Sequence, residues 1–591
     1  MALFVKSSDW ELIAVMVEMQ VEPDRIKRTL AAFGSAFDRC RQAWNRAAGG
    51  NPGLLAGALL LSGVVALPIL TVLSNVFATS SGTLGHIART ILPDILFNTF
   101  GLLAMVGTGT AVIGTACAWL VTMYRFPLSS IFAWLLMLPM AVPAYIIGYA
   151  YTDFLTYAGP LQSVLRSTFG WGRGDYWFPN LQSLWGVSLM LTLVLYPYVY
   201  FLTRAAFLDQ SLTVLDVART LGHSGRDRFF RVALPLARPS IAAGLALALM
   251  ETLADFGTVQ YFGIDTFTTA IYRTWFGMGD RIAAGKLASG LLLFVAALVV
   301  VEQWARRQSR FHSRGRKQWA ISRTKLTGWR SALAVAACLT PVLLGFVLPV
   351  AILVGLHFEG GDNLLGERFV RLSWNTFSLA GMAAVIVTAA GLFVAYAGRL
   401  ASSDGLRTLL RVATFGYALP GTVIAVGVLV SLGGFDRALD QGFRSTFGAS
   451  TGLLLSGSIA ALLFAYLVRF LAVASGGLEA GFGRIPESMD QVARTLGCTS
   501  GEVLRRVHLP LLSRPLMTAS VLVFVDVLKE LPATLIIRPF NFDTLAVRVY
   551  QLAADERLAE ASTGALVIVA IGLLSVGLLA GLVRGAKRGM R

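Results

Sequence analysis

The chain has 591 residues, of which 55% are hydrophobic and only 14% are charged, and its mean hydropathy is +0.67. A soluble protein of this length cannot bury so large an apolar fraction, so the composition excludes an ordinary soluble protein and indicates one that lies in a membrane. The net charge is +17, but no compact basic domain carries it, which argues against a nucleic-acid-binding protein.

Residues 1–53 are predicted to form a cytoplasmic N-terminal prefix. Their early segment, WELIAVMVEMQVEPDRIKR, is interrupted by Glu11, Glu18 and Glu22. It has no cleavage site after an apolar run, so we do not expect a secretory signal. A short helical segment, lying on the membrane surface, fits this pattern.

Twelve apolar segments follow, each long enough to cross a bilayer as a helix of about 20 residues. They are continuous rather than alternating, which excludes a transmembrane β-barrel and predicts an all-α polytopic membrane protein. The segments lie near residues 54–76, 98–121, 131–156, 183–208, 239–262, 286–304, 333–357, 375–398, 411–432, 452–474, 515–535 and 562–583.

Basic residues predict the orientation of these segments. Outside the twelve segments, the set of loops that includes both termini holds 33 Lys and Arg residues, and the alternate set holds 12. Because basic residues stay on the cytoplasmic side, we expect both termini to be cytoplasmic.

The chain carries an internal repeat. VARTLG occurs at Val217–Gly222 and again at Val492–Gly497, and NTF occurs at Asn98–Phe100 and Asn375–Phe377. Similar offsets place Pro143 of MAVPAYIIG on Pro420 of YALPGTVIA. The pattern predicts two tandem six-helix halves, parallel to each other, because each holds an even number of spans. The predicted domains are a first half at 54–304, a basic cytoplasmic linker at 305–332, a second half at 333–583 and a cytoplasmic tail at 584–591.

Each VARTLG copy lies in the predicted cytoplasmic loop between the fourth and fifth spans of its half. LTVLDVARTLG and PESMDQVARTLG predict a short helix that ends at glycine. RDRFFRVALPLARP and GEVLRRVHLPLLSRP predict a second helix that ends at proline. We expect the first helix to present a small residue, Ala218 or Ala493, for close contact.

These two loops resemble the EAA loop of the permeases of binding-protein-dependent ABC importers, whose pattern is E-A-A-x3-G-x9-I-x-L-P. The acid is Asp or Gln here, and the first alanine is valine. The resemblance implies a type I importer-like fold and predicts ATPase-coupling residues in both loops: Asp216, Ala218, Arg219, Gly222, Pro235, Gln491, Ala493, Arg494, Gly497 and Pro510.

The same resemblance implies the partners of the chain. It predicts a separate ABC ATPase homodimer engaged by the two loops, a periplasmic solute-binding protein, and a location in the bacterial inner membrane. The chain has no GxxxxGK[ST] phosphate loop, so ATP and Mg are expected on the partner ATPase and no cofactor on this chain. We therefore expect a transport subunit in the lipid bilayer that is not an enzyme and binds no nucleic acid.

Acidic residues lie within the apolar segments that follow the two loops. Glu251 and Asp255 fall in the first half, and Asp526 and Glu530 fall at the corresponding positions of the second, beside Lys529. Charges at membrane depth are costly and suggest a function. We predict that these five residues line the translocation pathway, with the four acids as transient ligands of a hard cation. The alternative is that the acids pair with basic residues, namely Lys529, Arg538 or Arg273, and lock the halves together.

The stretches ETLADFGTVQYFG, FTTAIYRTW, VLKELPATLIIRPFNFDTLAVRVY and DERLAEAS resemble the fused permeases of the ferric-iron uptake family. The resemblance implies ferric iron as the cargo. Fused permeases for thiamine, phosphonate, polyamine or sugar phosphate share the architecture and stay open as alternatives, as does a secondary transporter. A membrane enzyme is disfavoured because no nucleophile–base set or metal motif is present in the sequence.

Overall fold

The computed structural model describes residues 51–79, 82–172, 175–209, 221–222, 224–309, 323–364 and 366–588. Within these ranges, ten helices are long and apolar enough to cross a membrane, and two bent helix pairs raise the number to twelve if each pair is one span. The all-α polytopic prediction is therefore confirmed. Nearly all of the predicted prefix, the middle of the linker and the last residues of the tail lie outside the described residues.

The described residues of the first half contain twelve helical segments, some of which are followed by a 3₁₀ or π turn. They are α1 (Pro52–Ser74, then a 3₁₀ turn Asn75–Phe77), α2 (Gly82–Thr90), α3 (Leu92–Met123), α4 (Ser129–Leu135, then a 3₁₀ turn Leu138–Ala141), α5 (Ala144–Leu155), α6 (Pro160–Phe169), α7 (Leu184–Asp209), α8 (Gly225–Asp227, then a π turn Arg228–Ala233), α9 (Leu234–Ala254), α10 (Gly257–Tyr261), α11 (Phe267–Tyr272, then a π turn Arg273–Gly277) and α12 (Arg281–Ser309).

The second half repeats this order. Its segments are α13 (Trp329–Val342, then a π turn Leu343–Val347), α14 (Leu348–Gly360), α15 (Glu367–Leu400), α16 (Asp404–Val412, then a 3₁₀ turn Ala413–Ala418), α17 (Gly421–Phe447), α18 (Ile459–Phe482), α19 (Glu487–Thr495), α20 (Ser500–Val503, then a π turn Leu504–His508), α21 (Leu509–Leu511), α22 (Ser513–Leu528), α23 (Pro532–Ile537), α24 (Leu545–Ala554) and α25 (Leu558–Arg588).

Four predicted spans are not single straight helices in the structure: the third, the fifth, the eleventh, and the ninth, where 411–432 holds the end of α16, a 3₁₀ turn and the start of α17. The third is bent by 88° between Ala141 and Ala144, around Pro143, which has no backbone N–H to continue a helix. The eleventh, predicted at 515–535, is broken between the end of α22 at Leu528 and the start of α23 at Pro532, and a bend of 77° lies just before it, between Leu511 and Ser513. The fifth begins earlier than predicted and ends at Ala254, so that residues 255–262 fall in a break and a separate short helix.

The prolines after the VARTLG copies do not end the second helix as predicted. In the first half the helix passes through Pro239 and continues to Ala254. In the second half the break comes at Leu512, and Pro515 is the third residue of α22, where its missing N–H costs little. A membrane helix tolerates an internal proline because neighbouring groups satisfy the freed carbonyl.

One feature departs from a purely helical chain. Strands β1 (Tyr124–Arg125) and β2 (Thr324–Lys325) form a two-stranded parallel pair. The pair joins the end of α3 to the segment just before α13, and Leu326 N donates a further hydrogen bond of 3.0 Å to Arg125 O. The C-terminal end of the predicted linker is therefore fixed to the first half.

The repeated NTF motif has the same structural role in both halves. The Asn98 side-chain amide donates to the Asp265 carbonyl over 3.0 Å, and the Asn375 amide donates to the Asp543 carbonyl over 3.3 Å. The first bond ties α3 to the loop that precedes α11, and the second ties α15 to the loop that precedes α24. Helices α5 and α17 likewise both begin directly after the repeated prolines Pro143 and Pro420. The structure therefore confirms the tandem repeat.

The two halves are interlocked rather than side by side. Helix α1 of the first half packs on α17 of the second, and α14 of the second half packs near α5 of the first. At the first crossing, a Cβ at Gly427 would lie 2.4 Å from the Pro68 carbonyl oxygen, so only glycine fits there. Two large buried clusters contain side chains from both halves, such as Val65 with Val423 and Ile146 with Val547. The core therefore holds the halves together as one unit.

Candidate functional site: a cavity between the halves and the cytoplasmic loops

A cavity of about 140 Å³ lies where the two halves meet, beside the ends of α9 and α22. Its wall contains all five residues that the sequence predicts for the translocation pathway: Glu251, Asp255, Asp526, Lys529 and Glu530. Four further polar side chains complete the wall: Tyr145, Tyr198, Tyr417 and Arg469. The structure thus brings the predicted acids of both halves together, while their role in transport stays a prediction.

Asp255 caps the short helix that follows the break after α9. Its Oδ1 accepts hydrogen bonds of 3.1 Å from the backbone N–H groups of both Thr258 and Val259, and its Oδ2 accepts one of 2.8 Å from the Thr258 hydroxyl. A carboxylate suits this position because the first N–H groups of a helix lack partners. Asp255 therefore has a structural role that its sequence position alone did not reveal.

Glu530 caps the equivalent short helix, α23, in the second half. Its carboxylate accepts hydrogen bonds of 3.0 Å from the N–H groups of Ala533 and Thr534, and one of 2.6 Å from the Thr534 hydroxyl. It also pairs with Arg469, whose Nη1 lies 3.3 Å from Oε1. Both side chains of this ion pair are nearly buried, so the pair ties α18 to the start of α23.

The other two acids face the cavity differently. Asp526 pairs with Lys529, with 3.0 Å between Oδ1 and Nζ. Glu251 forms no ion pair with any described Lys or Arg and caps no helix. Asp255 has no ion pair either but is engaged as a helix cap, so Glu251 is the cavity acid with neither role in the described part of the chain.

The alternative interpretation of the acids is correct for one of its pairings but not for locking the halves together, because that ion pair lies within the second half. Lys529 does pair with one of them, but Arg273 pairs with Asp265 and Arg538 pairs with Asp543 instead. The cation that pairs with Glu530 is Arg469, which the sequence prediction missed. Its signal was a single arginine in the apolar run AYLVRFLA, since charges inside such runs are rare.

No permanent metal centre is evident in the described ranges. There, no group of three or more His, Cys, Asp or Glu side chains is arranged to hold a metal ion together. Two of the four predicted ligands, Asp255 and Glu530, already use their oxygens as helix caps. The prediction of a transient site thus depends on Glu251 and Asp526.

The two cytoplasmic loops are described to different extents. Asp216, Ala218 and Arg219 of the first copy lie outside the described residues. The glycines that end the two copies, Gly222 and Gly497, are described and have φ values of +82° and +85°. The left-handed conformation of Gly497, just after α19 ends at Thr495, confirms the predicted glycine stop of the second copy.

The second arm of each loop is built in the same way. Ser224 and Thr499 cap its first turn, and Asp227 and Glu502 occupy the third position of that turn. Each first turn continues into a π turn just before the proline of the motif, Pro235 or Pro510 in the two loops. The internal spacing of the motif therefore reflects one local structure formed twice.

Helix α19 presents a different face from the one predicted. Ala493 is only 7% exposed, because it packs against its own chain. The exposed apolar side chains are Met489, Val492 and Leu496, which are 45%, 58% and 78% exposed. Their spacing of three and four residues places them on one side of the helix. We call these three residues the apolar face of α19.

A buried charge network fixes α19 to the membrane helices. Arg399, at the end of α15, donates from Nε to Asp490 Oδ2 over 2.8 Å and from Nη1 to the Phe482 carbonyl over 2.6 Å. His508 Nε2 lies 3.0 Å from Asp490 Oδ1, and the His508 side chain is fully buried. We call Arg399, Asp490 and His508 the anchor network. Its members were not singled out from the sequence because they come from three separate segments.

Comparison with known proteins agrees with this architecture. The chain is 25% identical over 504 residues to an Fe(3+)-transport system permease protein of Haemophilus influenzae, covering 83% of this chain and 90% of the relative. It is 23% identical to a putative ferric transport system permease protein of the same organism, covering 78% and 73%. A putative 2-aminoethylphosphonate transport system permease protein of Salmonella typhimurium is 30% identical, covering 39% and 77%.

Residues 110–311 and 388–588 each match the family described as binding-protein-dependent transport system inner membrane component. Each match lies largely within one structural half, and together the two matches cover more than half of the chain. The two EAA-like loops fall within them, one in each half. The protein therefore belongs to the family of inner membrane components of binding-protein-dependent transport systems, with two copies of the family unit fused in one chain.

Proposed function

We propose that this chain is the membrane permease of an ATP-driven importer whose cargo is ferric iron, delivered by a periplasmic binding protein. The observation that carries the proposal is the cavity between the halves, where carboxylates from both repeats meet. Carboxylate oxygens are the ligands that hard cations prefer. Two relatives that match most of the chain are named for ferric or Fe(3+) transport.

The size of the cavity supports an ion rather than an organic molecule. Its volume is about 140 Å³, whereas pockets for small organic ligands span roughly 300 to 1,000 Å³. An ion with a few water molecules fits this space. Thiamine, a polyamine or a sugar phosphate would need a larger opening.

The charge of the cavity supports a cation. Four carboxylates line it, and two cations, Lys529 and Arg469, offset two of them. The remaining negative charge attracts a cation and opposes an anionic cargo such as a phosphonate. Ferric iron, as a small and highly charged cation, fits both the size and the sign.

The two cytoplasmic loops supply the coupling to ATP. We propose that they engage two copies of one ABC ATPase, with the apolar face of α19 seated in the partner. The exposed Gln491 and Arg494 flank that face. This arrangement requires the loops and both termini to be cytoplasmic, as the distribution of basic residues predicts.

The test is the ATPase activity of the reconstituted complex while its binding protein is titrated in, with and without ferric ion. We expect stimulation only by the iron-loaded binding protein. Stimulation by the binding protein with another solute, and none with iron, would refute the ferric assignment but keep the importer. Solute uptake that continues without any ATPase would instead indicate a secondary transporter.

A further inference from the structure

The cavity wall contains tyrosines that the prediction of acidic ligands did not include. Tyr198 of α7 comes from the first half, and Tyr417, just before α17, comes from the second. Both tyrosines line the same cavity as Glu251, which comes from the first half. Three oxygen donors from both halves therefore face one space.

A second observation also points to a ligand in this cavity. The Tyr145 side chain lines it and is only 5% exposed, yet its hydroxyl has no hydrogen-bond partner among the described residues. A buried hydroxyl without a partner is costly, and such groups usually bind something that the structure does not contain. The cavity therefore offers an unused polar group to a bound species.

The four cavity acids differ in whether other groups of the protein already engage them. Asp255 and Glu530 are engaged as helix caps, and Asp526 is paired with Lys529. Among the described residues, Glu251 is the one cavity acid that neither caps a helix nor forms an ion pair. A cation that enters the cavity therefore meets Glu251 and the two tyrosines without first displacing a helix cap.

We propose that Glu251, Tyr417 and Tyr198 form an oxygen-donor subsite that binds the ferric ion as it passes between the halves. This inference rests on the proposed function and names the residues that would select the ion. Ferric iron binds tyrosine oxygen in proteins as well as carboxylate oxygen. Each phenol that binds as a phenolate releases one proton to water when its O–Fe bond forms.

Lys529 regulates the occupancy of the subsite. Its ammonium group pairs with Asp526, and its side chain lines the same cavity as Glu251. Before the ion arrives, the Lys529 ammonium offsets the negative charge of the carboxylates. When the ferric ion enters, the same ammonium repels it. This repulsion keeps binding weak enough for release, because a passage must let its cargo leave.

The experiment uses the full-length permease in lipid nanodiscs, with iron added as the ferric nitrilotriacetate complex. Two quantities are measured: iron retained by the protein, and the visible absorption band that arises when a phenolate binds ferric iron. We expect both in the wild type. Tyr417→Phe and Tyr198→Phe should each weaken iron retention by about tenfold or more, since even outer-shell partners of a metal contribute that much.

The matched control is Tyr200→Phe. Tyr200 lies on the same helix as Tyr198, but its hydroxyl donates to the Ala133 carbonyl over 3.0 Å within a separate buried cluster. This variant should keep both the band and the retained iron. Lys529→Gln should retain iron more tightly than the wild type, because a repelling charge has been removed.

A wild-type protein that retains iron without the absorption band would overturn the subsite, as would a band unchanged in both Phe variants. The iron-dependent ATPase assay, run on the same preparation, separates the two proposals. Iron-dependent stimulation without the band refutes the tyrosine ligands alone. Stimulation by another solute and none by iron refutes both.

Discussion

Asp255 and Glu530 each combine a charge in the cavity with a cap on the short helix that forms its wall. They occupy equivalent positions in the two repeats and accept hydrogen bonds from the N–H groups three and four residues further on. The cavity is therefore shaped by the same residues that make it negative. A substitution at either position should change both the local fold and the electrostatics.

Glu530→Ala should destabilise the protein strongly. It would leave the nearly buried Arg469 guanidinium without its partner and the first N–H groups of α23 without their acceptor. Losing one member of a buried pair costs about 3 to 5 kcal/mol. Thermal unfolding of the purified permease, followed by size-exclusion chromatography, should show a clear drop in the transition temperature.

The control for this substitution is Glu560→Ala. Glu560 pairs with Arg557, but the Arg557 side chain is 54% exposed, so the pair should contribute less than about 1 kcal/mol. Equal unfolding temperatures for the two variants would show that the buried pair does not hold α18 to α23.

The sequence located the four cavity acids because acids are rare within apolar runs and because the repeat placed them in register. It did not reveal Arg469, Tyr198 or Tyr417. Tyrosine and a single arginine are unremarkable in membrane helices until the fold brings them to the same space. The caps were also missed, because the breaks after α9 and α22 lie inside segments that read as continuous spans.

Helix α19 is the element through which the chain should meet its ATPase. Leu496, 78% exposed, is the most exposed residue of its apolar face. Leu496→Asp should weaken binding of the ATPase by at least about tenfold, since burial of a leucine contributes about 2 kcal/mol. Co-purification of the ATPase with the permease in detergent would measure this loss.

An exposed leucine elsewhere provides the comparison. Leu454, 54% exposed, lies between α17 and α18, three residues beyond the loop 433–451 that the sequence predicts to face the exterior. Leu454→Asp should leave ATPase binding unchanged. Normal binding in Leu496→Asp, or an equal loss in both variants, would contradict the assignment of the apolar face.

The anchor network should transmit the movement of α19 to the membrane helices. Asp490→Asn removes the negative charge between Arg399 and His508 while keeping the size of the side chain. We expect ATP hydrolysis to continue in this variant while uptake per ATP falls severalfold, because α19 would move without α15. The measurement is the ratio of cargo uptake to ATP hydrolysis in proteoliposomes.

The first half offers a matched comparison by sequence. RVALPL has Ala233 where RVHLPL has His508, and LTVLDVARTLG has Leu215 where Asp490 stands in the second copy. A substitution at Leu215, such as Leu215→Asn, should therefore leave the ratio of uptake to hydrolysis close to that of the wild type. An unchanged ratio in Asp490→Asn would show that the network has no part in coupling.

The elements themselves were predicted with uneven success. The glycine stop of a VARTLG copy follows from local backbone chemistry, and the end of α19 with the positive φ of Gly497 confirms it in the second copy. The end of the second arm does not follow from local backbone chemistry, because a proline near a helix start or inside a membrane helix need not end that helix. The exposed face of α19 was placed wrongly because the sequence does not show which side of a short helix packs on its own chain.

At the scale of the whole molecule, the interlock of the halves depends on close contact between α1 and α17. Gly427→Ala would place a Cβ 2.4 Å from the Pro68 carbonyl oxygen and force the helices apart. Such overpacking costs about 1 to 3 kcal/mol. The unfolding temperature of Gly427→Ala should fall accordingly.

Gly434→Ala is the control on the same helix, because a Cβ there meets nothing within 4 Å. It should be neutral or slightly stabilising, since alanine favours helix more than glycine does. If the two variants unfolded at the same temperature, the crossing at Gly427 would not be important for the assembly of the halves.

The repeat itself was predictable, since VARTLG, NTF and the two prolines recur at nearly constant offsets. The exchange of α1 and α14 between the halves was not predictable. Hydropathy gives the number of spans but not their neighbours, and small residues such as Gly427 acquire meaning only when the partner helix is known. The fold class could therefore be derived from the sequence, and the shape of the passage could not.

The most direct test of ATP-driven ferric import is uptake of radioactive ferric iron into proteoliposomes that contain the permease, its ATPase and enclosed ATP, with binding protein outside. We predict uptake that requires both ATP and the iron-loaded binding protein and that is largely lost in Glu251→Gln. Full uptake without ATP, or ATP-driven uptake of another solute with none of iron, would contradict the proposal of ATP-driven ferric import.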